Sequence, residues 1–162
     1  MTRVLVVYYS RTGCTESMAR EVAAGAEEEG GVVTVKAAAD VDNTEMVESD
    51  AIVMGSPTYY GGAASELKRL LDESVKVHGR LAGKVGGAFS SSANLAGGNE
   101  TAILSILQAM LIHGMIVEGI AHGDHYGPVA VGAMDDRAKQ GCRDLGKRVV
   151  KLAARLAGQV DT

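Results

Sequence analysis

Residues 4–9 (VLVVYY) are six apolar or aromatic side chains in succession, with no polar residue at alternate positions. A strand with one wet face alternates. A strand that does not alternate must be covered on both faces, as in a parallel sheet held between helices. Four further segments share this character: residues 32–37 (VVTVKA), 51–55 (AIVMG), 84–91 (KVGGAFSS) and 115–118 (MIVE). Amphipathic helical patterns lie between them. Met18, Val22 and Ala26 recur at spacing four within residues 15–29. Leu67, Leu70 and Leu71 share a face of residues 65–75, and Ile103, Leu107, Met110 and Leu111 a face of residues 100–112. Leu145, Val149, Leu152 and Leu156 stripe residues 136–156, and residues 40–49 predict a short helix. Strict alternation of this kind predicts an α/β, doubly wound, five-stranded parallel sheet with strand order 2-1-3-4-5, helices on both faces and one domain over residues 1–162.

That architecture predicts where a ligand goes. In open α/β sheets the crevice lies beyond the carboxyl ends of the strands, where the strand order reverses. Three segments should meet there, residues 10–15, 56–62 and 91–99, and each is dense in Ser, Thr, Gly and Asn. In the first, Ser10, Thr12 and Thr15 offer hydroxyls, and Gly13 lets the backbone turn inward ahead of a helix. Unpaired N–H groups at a helix start, with their partial positive charge, suit a phosphate. The same hydroxyls could instead cap the helix.

Other phosphate chemistry fits poorly. Residues 79–85 (GRLAGKV) are one residue short of a nucleotide-hydrolysing loop and lack its final hydroxyl. No G-x-G-x-x-G follows the first strand, which argues against a dinucleotide site. Cys14 and Arg20 have the spacing of a cysteine phosphatase, yet the stretch between them holds no glycine and no acid loop follows elsewhere. A formal net charge of −4, with no basic run longer than two, argues against nucleic acid. Two cysteines without metal spacing predict no disulfide framework and a reducing cytoplasm. The longest apolar tract, residues 102–117, is broken by Ser105, Gln108, His113 and Gly114, so no membrane insertion is expected. His122, Asp124 and His125 lack fixed metal-ligand spacing, and no metal is expected.

Together the three loops resemble those of the flavodoxin superfamily. Residues 8–19 (YYSRTGCTESMA), 55–72 (GSPTYYGGAASELKRLLD) and 83–101 with 113–115 (GKVGGAFSSSANLAGGNET and HGM) are similar to its FMN-dependent NAD(P)H:quinone oxidoreductase branch. The resemblance implies FMN as cofactor, NAD(P)H and quinones as partners, and leaves room for a homo-oligomer, dimer or tetramer. It implies a phosphate loop of Ser10, Arg11, Thr12, Gly13, Cys14 and Thr15, with Cys14 lending its backbone rather than its thiol. Pro57, Thr58, Tyr59, Tyr60 and Gly61 would lie beside the flavin ring, and Ser91, Ser92, Ala93, Asn94, Leu95, Ala96 and Gly97 along its other side. His113 would sit near the flavin's pyrimidine end as the catalytic donor, and Tyr126 would belong to the last loop. The chain departs from that branch in being short after its second strand and third helix, where a tryptophan-bearing insertion would line the substrate pocket. The alternative is a flavodoxin-type electron carrier with no NAD(P)H turnover of its own.

Overall fold

The computed structural model describes residues 1–158. Among the described residues seven strands and five α-helices follow one another. The strands are β1 (Arg3–Tyr8), β2 (Val32–Ala37), β3 (Ala51–Tyr59), β4 (Gly62–Ala63), β5 (Val85–Ser92), β6 (Ile116–Val117) and β7 (Val129–Val131). The helices are α1 (Cys14–Glu28), α2 (Asn43–Glu48), α3 (Ser65–Glu73), α4 (Asn99–Ile112) and α5 (Asp136–Ala157), with short 3₁₀ turns at Ala38–Asp40 and Ser74–Val77. The main sheet runs β2-β1-β3-β5-β6, all parallel. This is the expected doubly wound order, with β5 and β6 as the fourth and fifth expected strands.

The continuous apolar strands have the predicted cause. In β1, Val4 and Val6 pack with Met18, Val22 and Val149 beneath α1 and α5, while Leu5 and Val7 pack with Leu67, Ile103 and Ile106 beneath α3 and α4. All four β1 residues are at most 2% exposed. The edge strand β2 is half-exposed and reads Val-Val-Thr-Val-Lys-Ala, since only one long side of it is covered.

Two features depart from the expected strands. β3 does not stop at Gly55 but runs to Tyr59, and then turns back into β4 with Thr58 opposite Ala63 and Tyr59 opposite Gly62. Pro57 is tolerated because pairing with β1 has already ended at Gly55, which leaves one edge of β3 free at Pro57 while the other still faces Ser91 of β5. The fifth sheet position is divided. β6 pairs with Val85 and Gly86, β7 pairs with Ser90 to Ser92, and the chain makes an excursion between the two.

α1 and α5 are the most closely packed helices. A Cβ at Gly25 would lie 2.1 Å from the Arg143 carbonyl oxygen, and one at Gly146 would lie 2.1 Å from that of Val22. Two hydrogen atoms therefore set the helix separation. Across the seam Arg143 bonds Glu21 at 2.6 Å and Glu28 at 3.0 Å, and Lys147 meets Glu28 at 2.8 Å. These partly exposed pairs fix register more than they add stability.

Candidate functional site

The carboxyl ends of β1, β3 and β5 lie side by side, with Tyr8 in register with Gly55 and Pro57 with Ser91. The chain leaves each of them through one of the three polar loops.

The first loop turns at Gly13, whose φ of 97° is the left-handed conformation that glycine adopts without strain. The Gly13 N–H donates to the Ser10 hydroxyl at 3.1 Å. No side chain caps α1. Asp42 caps α2 and Asp135 caps α5, whereas α3 and α4 start without a side-chain cap as α1 does, so it is the place of α1 after the central strand β1 that sets it apart. The start of α1 thus leaves its first-turn N–H groups without a side-chain acceptor, which is the electrostatic condition for an anion. Arg11 and Thr12 are exposed beside it.

Hydroxyls join the loops to one another. Thr15 Oγ1 and Ser91 Oγ are 2.9 Å apart, tying the first loop to the third. The Ser90 hydroxyl donates to the Ser56 carbonyl at 2.8 Å, so it accepts from Thr58 at 2.9 Å and ties the third loop to the second. Asn99 Nδ2 donates to Ser92 Oγ at 2.9 Å, and Ser92 donates to the Asn94 carbonyl. Ser56 and Asn99 lie in the expected segments as bracing residues, Ser90 lies one residue before the third of them, and Thr15, Thr58 and Ser91, expected to face a cofactor, turn inward. These bonds fix where the exposed parts of the loops stand. The Cys14 thiol is pushed up by burial, although Ser91 beside it acts the other way. Cys14 is therefore no activated nucleophile.

The second loop is a two-residue hairpin turn. Tyr60 and Gly61 both have positive φ, 50° and 76°, as a type I′ turn requires. A tyrosine there is strained, and its ring is fully exposed. Tyr59 stands against Tyr9 edge to face, ring centroids 6.4 Å apart. In the third loop Ala93, Asn94, Leu95, Ala96 and Gly97 are exposed, and Ala96 also has positive φ, 52°. Strain of about 1 kcal/mol or more at each non-glycine residue marks positions chosen for something other than stability. Tyr60→Asn should raise the urea midpoint of the ligand-free protein by about 1 kcal/mol equivalent. A lowered midpoint would show that the Tyr60 ring is needed by the fold itself.

Tyr126 lies across a groove from Leu95 and Ala96, so the structure brings the last loop to the third. His125 Nδ1 donates to the Ile120 carbonyl at 2.9 Å, and Asp124 accepts from Arg137 at 2.6 Å.

His113, expected near the flavin, stands apart from the three loops within a single chain. It follows α4, which runs back along the sheet, and the next residue, Gly114, accepts from Gly83 N at 2.9 Å just before β5 begins. The third loop follows the other end of β5, roughly 23 Å away at strand geometry. Within one chain His113 does not reach the loops. It is 8% exposed, with Nε2 2.7 Å from Ser74 Oγ. Ser74 gives its proton to the Leu71 carbonyl, so His113 Nε2 donates, and Nδ1 is buried without a partner. Burial, and then the neighbouring His78 ring, hold the His113 pKa below its ordinary value of 6.5. A depressed histidine pKa means that folding favours the neutral ring. Its contribution is present above the unfolded pKa and is lost as pH falls from about 6.5 towards the folded value. The wild-type urea midpoint should drop between pH 7.5 and about pH 5, and His113→Gln should flatten that drop. An equal drop in the variant would assign it to other groups.

Among the described residues no helix is long and apolar enough to cross a membrane. The chain is 34% identical to an NAD(P)H dehydrogenase (quinone) of Sinorhizobium fredii, with 97% of this chain and all of that one covered. It is 37% identical to a flavodoxin of Aquifex aeolicus, over 95% of this chain and 88% of that one. Among solved structures it is similar to a flavodoxin, WrbA-like protein from Agrobacterium tumefaciens, with a TM-score of 0.81 and 29% identity over 96% of this chain and 99% of that one. The family model for flavodoxin matches residues 6–162, and the chain belongs to the flavodoxin family.

Proposed function

We propose that the chain binds FMN in the crevice between the three loops and transfers electrons from NAD(P)H to quinones. The observation that carries the cofactor is the uncapped, glycine-entered start of α1 at the point where the strand order reverses. The residues fit the group. The first-turn N–H groups of α1 with Ser10 and Thr12 would hold the phosphate, and Arg11 stands exposed nearby. Pro57, Tyr59, Tyr60 and Gly61 would flank one side of the ring, and Ala93 to Gly97 the other. The bound flavin supplies the electron-transfer chemistry itself. The chain's part is to hold, orient and partly cover it, which is why a site of hydroxyls, glycines and tyrosines suffices without a dedicated acid or base. His113 has no place in this reading for a single chain.

The enzyme reading is supported by relatives named NAD(P)H dehydrogenase (quinone) from Sinorhizobium fredii, Archaeoglobus fulgidus and Gluconacetobacter diazotrophicus, at 31–34% identity. One observation favours an electron carrier instead. The alignment to the Sinorhizobium protein runs over 198 positions, more than this chain's 162 residues, so this chain is gapped against it. The alignments to flavodoxins of Aquifex aeolicus and Clostridium saccharobutylicum take 163 and 153 positions. Steady-state oxidation of NADH and NADPH with benzoquinone separates the two. Turnover that depends on FMN is expected, and its absence in flavin-loaded protein would leave the carrier.

The same reading takes residues 1–162 as one FMN-binding domain working in the cytoplasm. Free Cys14 and Cys142 support a reducing compartment. It includes self-association as a dimer or tetramer. Exposed Val75, Leu111 and Ile112 support that, at 70%, 59% and 73% exposure.

A further inference from the structure

β5 ends in three consecutive buried serines, Ser90, Ser91 and Ser92. Buried hydroxyls need hydrogen-bond partners. A strand sends successive side chains to opposite faces of its sheet. The two residues just before the serines show which faces these are. Ala88 packs in the core beneath α3 and α4, and Phe89 in the core beneath α1 and α5. Ser90 and Ser92 therefore share the face of Ala88, and Ser91 shares the face of Phe89.

The bonds follow that division. Ser91 meets Thr15 in the first turn of α1, and Thr15 is itself buried at 2% exposure. Ser90 bonds the Ser56 carbonyl and the Thr58 hydroxyl, on the strand that leads into the Tyr60–Gly61 turn. The returning side of that hairpin is held by serines too. The Ala64 N–H donates to Ser56 Oγ at 2.8 Å, and the Ala63 N–H donates to Ser105 Oγ at 3.2 Å. Ser92 closes the third loop onto the start of α4 through Asn94 and Asn99.

The second and third loops also touch. A Cβ on Gly98 would lie 2.9 Å from the Gly61 Cα, so the tip of the hairpin rests on the entry to α4. The three loops thus form two units. One is the first loop with the start of α1, reached from Ser91. The other is the hairpin with the third loop, reached from Ser90 and Ser92. One strand carries the settings of both, and its alternation keeps them on opposite faces.

We propose that Ser91 is the positioning residue for the cofactor's phosphate and Ser90 the positioning residue for its ring, so that the two ends of the flavin are held by parts that can be altered separately. The ligand in this assignment comes from the FMN reading, and the division into two units comes from the hydrogen bonds alone.

Riboflavin is the probe, because it keeps the ring and lacks the phosphate. Riboflavin and FMN are each titrated into wild type and variants by flavin fluorescence. Ser91→Ala should raise the FMN dissociation constant about 10-fold and leave that of riboflavin within about 2-fold of wild type. Thr15→Val removes the same bond from its other end and should do the same, with the double variant no worse than either alone. Ser90→Ala should weaken both flavins about 10-fold and keep the wild-type preference for FMN. Thr58→Val should repeat that result should Ser90→Ala fail to fold. An equal loss of both flavins in Ser91→Ala, a loss of FMN alone in Ser90→Ala, or no loss in either overturns the division. Amide NMR of the ligand-free variants separates this failure from that of the FMN reading. Ser91→Ala should shift Thr12 and Gly13 and leave Tyr60 and Gly61 in place, and Ser90→Ala should do the reverse. A wild type that binds neither flavin overturns the FMN reading, and the amide shifts then decide alone whether the two units exist.

Discussion

Thr12→Asp is expected to raise the dissociation constant for FMN on the order of 100-fold. Thr12 is exposed in the first loop, ahead of a helix start that no side chain caps. An aspartate there sets a carboxylate against a negatively charged phosphate. At an effective dielectric of about 20 and a separation of about 4 Å a charge pair costs about 4 kcal/mol, and screening at the exposed loop reduces the total to about 3 kcal/mol. The effect on the ligand-free protein has the opposite sign. A carboxylate near the α1 N-terminus meets the positive end of the helix, so the urea midpoint should hold or rise. Flavin fluorescence titration and urea unfolding on the same sample make the comparison. Unchanged FMN affinity would show that the phosphate lies elsewhere, and a collapsed midpoint would show that Thr12 is structural.

The second large effect concerns the seam that carries that helix. Gly146→Ala should destabilise the protein by about 3 kcal/mol or more. In an exposed helix the same change stabilises by about 1 kcal/mol, so even the sign is diagnostic. The reason is geometric. The new methyl would lie 2.1 Å from the Val22 carbonyl oxygen and 2.6 Å from the Ala26 nitrogen, and backbone atoms cannot swing away as a side chain would. Gly25→Ala meets the Arg143 carbonyl in the same way. Either variant forces α1 and α5 apart, and once they are apart the second methyl adds less. The double variant should therefore cost clearly less than the sum of the two. Urea unfolding of the three variants tests this, and full additivity would mean that the two contacts are independent. Because α1 begins at the first loop, the proposed phosphate site, the single variants should also bind FMN more weakly than wild type.

The sheet was legible because burial on both faces removes alternation, a property each strand carries in its own few residues. Residues 4–9 and 51–55 reported their surroundings directly. The extension of β3 was not legible, since Pro57 reads as a breaker unless it is known that β1 no longer pairs beside it. Nor was the division of the fifth position, because three residues around Val129 are too few to show a pattern. At the site, the glycine and hydroxyl density was enough to pick out three loops that the structure ties together by hydrogen bonds. The destination of each hydroxyl was not. Thr15 and Thr12 look alike in sequence, yet one is buried against Ser91 and the other is exposed. The place of His113 within one chain was hidden for a further reason. Its local motif matched, but a 14-residue helix carries a side chain about 21 Å along the sheet, and only the assembled fold tells which end it reaches.

The proposed function requires that this chain hold FMN and that NAD(P)H reduce it there. The most direct measurement is the visible spectrum of gel-filtered, FMN-loaded protein, mixed anaerobically with excess NADH or NADPH and then with benzoquinone. Retained flavin absorption that bleaches with at least one nicotinamide and returns with the quinone is the predicted result. Flavin lost on the column, or flavin that stays oxidised with both nicotinamides, would contradict it.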